Sequence, residues 1–352
     1  MNRILMVLSL VVVFSCKSEE KQRVETPPIP GIETTIVDES PLAKIDKLII
    51  ENPNSEEGYY KRAKYFYNQN DMETAFRDVN RAMKINPSNP DINLLKGQVY
   101  FKLAKLKLGL TFVERAIELD SMHTNANLEL AYYYTAGKNY EPALELINKI
   151  IQKDKYLSKP YYLKGMWYES QGQMELAISS FQTAIERNPN YYEAYLALGS
   201  LHDEMDDPKA IQYFNSALTI YPNRSDKQIE TWRLKGMSFY NHNQFDEAIV
   251  CFDTILSYDS SFYVAHFDIG SSLLKMCYKE NTKSKNDSLI QEAFTQFELA
   301  LAQNENYIDA IYNRAVCYEE MGNKSLARSE YKRILKMEVN YEPAIEALNS
   351  MN

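Results

Sequence analysis

The sequence predicts an all-α chain, a solenoid of about eight stacked helix–turn–helix units. Three observations carry this. Small residues recur about every 34 positions, as Ala75, Gly109, Ala143, Ala177, Ala210, Ala248, Ala293 and Ala327. About twelve residues before each lies a second small one, in order Ala63, Gly97, Ala131, Gly165, Gly199, Gly236, Gly270 and Ala315. Both series sit in stretches with helical apolar spacing, such as Leu176, Ile178, Phe181, Ala184 and Ile185. Pro53, Pro87, Pro189 and Pro222 then fall where a helix must stop. Two helices approach closely only where side chains are small, so a fixed period of small contacts is the mark of a repeat stack.

The chain opens with Arg3, the apolar run Ile4–Phe14, then Ser15 and Cys16. Eleven apolar residues are too few to span a bilayer, and a positive start with a small residue before the boundary describes a secretion signal over 1–15. The stretch Val13–Cys16 resembles a bacterial lipobox, whose cysteine is acylated, and Lys17–Glu20 resembles the acidic surface-export signal of Bacteroidetes lipoproteins. Those resemblances imply a lipid anchor on Cys16 and a place in the bacterial envelope, at the outer membrane. Residues 16–39 are polar and acidic, with Pro27, Pro28 and Pro30. They read as a tether with a reach on the order of 25–30 Å. Ser40 and Pro41 then make a helix start, and Leu42, Ile45, Leu48 and Ile49 form a stripe that caps the first unit across 40–52.

The eight copies begin near Glu56, Pro90, Thr124, Ser158, Tyr192, Ile229, Tyr263 and Ile308, and fill 56–341. The fifth is one residue short around Asp206–Pro208, and four extra residues, Ser225 to Gln228, precede the sixth. The seventh carries about eleven extra residues near 278–289, expected between its two helices. Residues 342–352 read as a partial helix closing the far end.

In the fourth copy Tyr161, Gly165, Tyr168, Ala177, Phe181, Ala184 and Pro189 stand at set spacings. This unit resembles the tetratricopeptide repeat. The resemblance implies a right-handed superhelix, first helices lining a concave face, and partner proteins bound there as extended segments or helices. Counted from each start, positions 5, 9 and 12 of the first helix turn towards that face. Aromatics gather at them: Tyr60, Tyr67, Phe101, Tyr132, Tyr162, Tyr240, Phe267 and Tyr312. The family's lysine–asparagine clamp for a chaperone's C-terminal carboxylate is missing, because Tyr60, Lys64 and Leu95 hold its first three positions. A segment with a basic portion facing the acidic later repeats is the expected partner.

Net charge is −9, and the leader removes only Arg3, so nucleic acid is not an expected partner. Lys102, Lys105 and Lys107 read as a solvated inter-helix edge. His123, His202, His242 and His266 are scattered, with no HxxxH or HExxH spacing. Asp203, Glu204, Asp206 and Asp207 lack the glycine and final glutamate of a calcium loop. Cys251, Cys277 and Cys317 show no CxxC. No catalytic residue, metal or cofactor is therefore expected. The leading reading is a non-enzymatic interaction scaffold for envelope assembly or secretion. A glycan-capture or nutrient-uptake lipoprotein, or the recognition arm of an enzyme complex, is the alternative.

Overall fold

The computed structural model describes residues 40–223, 225–279 and 283–351, with the backbone alone for 283–286. The leader, Cys16 and the tether lie outside the described residues. What is described is helical, with no strand. Helix α1 (Pro41–Glu51) starts where Ser40 Oγ accepts the Ala43 amide at 3.2 Å. Its half-buried Leu42, Ile45, Leu48 and Ile49 meet α2, where Ile49 presses against Gly58.

Eight antiparallel pairs follow. They are α2 (Glu56–Asn68) with α3 (Met72–Ile85), α4 (Pro90–Lys102) with α5 (Leu106–Leu119), and α6 (Thr124–Ala136) with α7 (Tyr140–Lys153). Next come α8 (Lys159–Ser170) with α9 (Met174–Arg187), and α10 (Tyr192–Glu204) with α11 (Lys209–Ile220). The last are α12 (Ser225–Asn241) with α13 (Phe245–Tyr258), α14 (Tyr263–Lys279) with α15 (Lys283–Gln303), and α16 (Ile308–Glu320) with α17 (Lys324–Met337). Helix α18 (Glu342–Ser350) covers the end. The all-α solenoid read from the sequence is what the chain folds into.

The small residues mark the contacts within and between pairs. Gly165 lies under the Phe181 ring, as Gly199 lies under Phe214, Gly236 under Phe252 and Gly270 under Phe297. Gly97 instead faces Val113 and the Gly109 carbonyl. Ala63, Ala131, Ala177, Ala184 and Ala315 are fully buried. First helices of successive repeats touch directly, α2 with α4, α6 with α8 and α10 with α12, and no pair of second helices packs comparably. The stack therefore curls with its first helices on the inside.

Two irregularities resolve differently from a loop. The extra residues of the seventh copy lengthen both its helices: α14 runs four residues past the usual 13, and α15 starts seven residues earlier than its counterparts. The segment has no proline or glycine to break them. The four residues before the sixth copy add a turn to α12. Gln228 in that turn is buried and donates to the carbonyls of Leu218 (2.9 Å) and Tyr221 (3.0 Å), satisfying the C-terminus of α11.

Candidate partner groove

Counted from the start of each repeat, fifth, ninth and twelfth residues of several first helices line two hollows. The eight predicted aromatics do not form one continuous lining there. Tyr60 and Tyr67 share a small polar hollow of about 250 Å³ with Lys64, Asp91, Gln98, Glu129 and Lys159. Tyr240, Phe267 and Tyr312 line a larger hollow of about 560 Å³ across repeats six to eight, with Met237, Leu274 and Val316. Tyr132 is exposed between the two, edge-on to Tyr133 at 5.2 Å.

Phe101 is half-buried. Its ring lies against Gly109, where an added Cβ would come within 2.3 Å, and stacks on Tyr133 at 3.5 Å. Glycine at the second-helix position opens a slot, and the ring fills it instead of facing the groove. Tyr162 is half-buried by Phe181 (5.5 Å) and Tyr191 (5.1 Å), and burial pushes its phenol up to about 12.

A recurring trio explains this packing. The fifth-position ring leans on a second-helix ring and on the tyrosine that sits at the cap just before the next helix. The trios are Tyr162 with Phe181 and Tyr191, Phe267 with Phe297 and Tyr307, and Tyr312 with Tyr331 and Tyr341. Each leaves one ring edge for the groove, held rigid by two neighbours. Met237, Leu274 and Val316 were legible from the same register, at positions 9, 12 and 9. They were missed because only aromatics were counted. Asp268 and Asn313, at position 6, had no such signal.

Charge is unevenly placed. Asp268 is buried on the wall of the larger hollow, where its carboxylate accepts Arg233 Nε at 3.1 Å. Burial outweighs that partner and pushes Asp268 up to about 6, so it remains mostly ionised at neutral pH. An adjoining hollow shares Tyr312 and Val316 and carries Glu319, Glu320 and Glu346. Tyr331 donates to Glu319 at 2.5 Å and Tyr278 to Glu320 at 3.1 Å. The late end of the groove thus joins an apolar hollow to an acidic one.

No cluster among the described residues is arranged to hold a metal. His202 is buried, stacked on Tyr213 and bonded through Nδ1 to Asp207 at 2.9 Å. Its neighbours Asp203 and Asp206 both face His242, at 3.5 and 3.4 Å. The thiols of Cys251, Cys277 and Cys317 are buried. No described helix is long and apolar enough to cross a membrane.

Two tetratricopeptide repeat models match the chain, over residues 162–225 and 309–337. A human relative, the protein O-mannosyl-transferase TMTC1, is 24% identical over 201 residues, which are 52% of this chain and 23% of the relative. The human antiviral innate immune response effector IFIT1 is 24% identical over 238 residues, 60% of this chain and 48% of the relative. The chain therefore spans half or less of the length of these two relatives. A monomeric IFIT1 mutant solved with Gppp-AAAA superposes with a TM-score of 0.57 at 17% identity, covering 84% of this chain and 66% of that one. The APC/C hetero-tetramer Cut9–Hcn1 gives 0.59 at 18% identity, covering 78% and 52%. These structures share the solenoid fold.

Proposed function

We propose that this chain, a solenoid carrying tetratricopeptide repeats, is a non-enzymatic scaffold that captures protein segments in its inner groove. The observation that carries the reading is the hollow across repeats six to eight, where Met237, Tyr240, Phe267, Leu274, Tyr312 and Val316 make an apolar seat on rigid helices. Such a seat takes one large apolar side chain of an extended or helical segment. The carboxylates of Glu319, Glu320 and Glu346 beside it suit a basic residue a few positions along that segment.

Within the same proposal, Cys16 is the acylation point and residues 17–39 the tether, holding the scaffold at the outer membrane of a bacterial envelope to serve assembly or secretion. What supports it is the leader, with its apolar core ending at Val13–Cys16. Nucleic acid, the ligand in the IFIT1 structure, is not proposed here. The three hollows carry Asp91, Glu129, Asp268, Glu319, Glu320 and Glu346 against Lys64, Lys159 and Lys275, which repels phosphate. Glycan capture finds less support, because the described residues of the long insertion continue two helices.

Ser271→Trp tests the seat without removing its packing, since it fills the hollow from one wall. Capture of cross-linked envelope proteins is expected to fall about tenfold or more, with unchanged helical circular dichroism. Undiminished capture places the binding surface elsewhere. The anchor has its own test. Wild-type protein should take up labelled palmitate and Cys16→Ala should not; label retained by the variant refutes acylation at that cysteine.

A further inference from the structure

The turn between α4 and α5 departs from the other repeats in two ways at once. Residues 102–108 are seven consecutive exposed positions reading Lys-Leu-Ala-Lys-Leu-Lys-Leu, and Leu103, Leu106 and Leu108 are 37%, 55% and 46% exposed. Ala104 holds the left-handed conformation (φ 57°) that the other described turns give to Asn70, Lys138, Gly172, Asp206, Asn243 and Gly322. An apolar residue with a Cβ is strained there and gains nothing from its side chain. Helix α5 has no acid in its first turn, a lack it shares with α11 and α17, and it sets Lys105 at the cap and Lys107 just inside. Helices α3, α7, α9 and α13 place Glu73, Glu141, Glu175 and Asp246 with Glu247 in that first turn, as the helix dipole favours.

Each choice costs local stability, and together they put three leucines and three lysines into solvent. Local rules broken at one place without a packing gain point to a surface with a task. We propose that this turn is a contact tip for an anionic lipid surface. The leucines dip into the headgroup–acyl boundary, and Lys102, Lys105 and Lys107 meet lipid phosphates.

Charge complementarity selects that occupant. No carboxylate lies between Lys102 and Val113, whereas the chain as a whole carries −9. On a chain that is anionic overall, this cationic, apolar tip is the part an anionic membrane attracts, so the field helps turn the tip towards it. Leucines standing singly on an exposed turn offer little shape to a folded protein, while a fluid interface needs none. Lys138, in the next turn along, adds a further exposed cation. The contact goes beyond the groove and does not depend on acylation of Cys16.

The test uses the chain from residue 17 onward, which keeps every described helix and cannot be acylated at Cys16. It is floated with vesicles of phosphatidylglycerol or of phosphatidylcholine. Flotation with phosphatidylglycerol, weakened by salt and absent with phosphatidylcholine, is expected. Lys105→Ala with Lys107→Ala should lower the vesicle affinity about tenfold or more, and so should Leu106→Ser with Leu108→Ser. All four side chains are exposed, so the circular-dichroism melt should not move. No flotation of the wild-type sequence, or flotation that both variants retain, overturns the proposal. Self-association in sedimentation that the leucine variant abolishes, without vesicle binding, would reassign the tip to a protein contact.

Discussion

Gly165→Leu is expected to destabilise the middle of the solenoid by about 3 kcal/mol, the upper end of ordinary overpacking. A Cβ at Gly165 would stand 2.5 Å from Cδ1 and Cε1 of Phe181, whose ring is itself fully buried. The ring cannot swing aside into solvent, so the two helices of the fourth repeat must part. Each repeat is held chiefly by its neighbours, so separation at one contact weakens both adjoining interfaces. Exposed Lys332→Leu serves as the control and should leave the melt nearly unchanged. Side-chain volume, not glycine as such, is the cause, and a double variant can show it. The first and third repeats pair Ala63 with Val79 and Ala131 with Ile147, all buried. Gly165→Ala with Phe181→Val copies that pairing and should lose less stability than the two single changes added together. Strict additivity would mean that the glycine serves something other than the ring.

The second large effect is expected at the near end, from Arg62→Ala. Arg62 grips Asp78 through two hydrogen bonds, Nε to Oδ2 at 2.7 Å and Nη2 to Oδ1 at 3.0 Å, and reaches Asp46 of α1 with Nη1 at 2.9 Å. Asp78 is 2% exposed, so removing Arg62 leaves a buried carboxylate with only the exposed Arg77, 3.9 Å away, at a cost of about 3 kcal/mol. The same loss loosens α1, which is then held to the first repeat only by its half-buried stripe. Hydrogen exchange should show amides of α1 to α3 losing protection while those of α14 to α17 keep theirs. Asp78→Asn in the same molecule should restore part of the loss, because a neutral amide needs no cation. A uniform loss of protection along the whole chain would contradict the local character claimed for this contact. The far end repeats the device, with Arg314 bonded to Glu330 at 2.8 Å between α16 and α17.

The groove shows where reading by register succeeds and where it fails. Positions 5, 9 and 12 pointed inward from the sequence, and Tyr240, Phe267 and Tyr312 do share one hollow. Phe101 obeys the same count and yet is half-buried against α5. The difference lies on another helix, where Gly109 leaves a slot for a ring. A register assigns a side to each residue, but the partner's size decides whether a ring stays there. The same holds for charge. Asp268 looks like any helical aspartate in the sequence, and only burial beside an apolar hollow raises it to about 6.

By itself the sequence determined the repeat, its length and its helix pairs. These follow from periodicity and from the size of single residues, both local properties of a one-dimensional stack. Tertiary structure decided what depends on two distant residues meeting. It joined Arg62 to Asp78 and Asp46 across three helices. It also divided one expected groove into a polar hollow and an apolar one, and left the Lys102–Leu108 turn uncovered. Those outcomes rest on which volumes and charges come face to face across helices, and no single stretch of sequence contains both halves of such a contact.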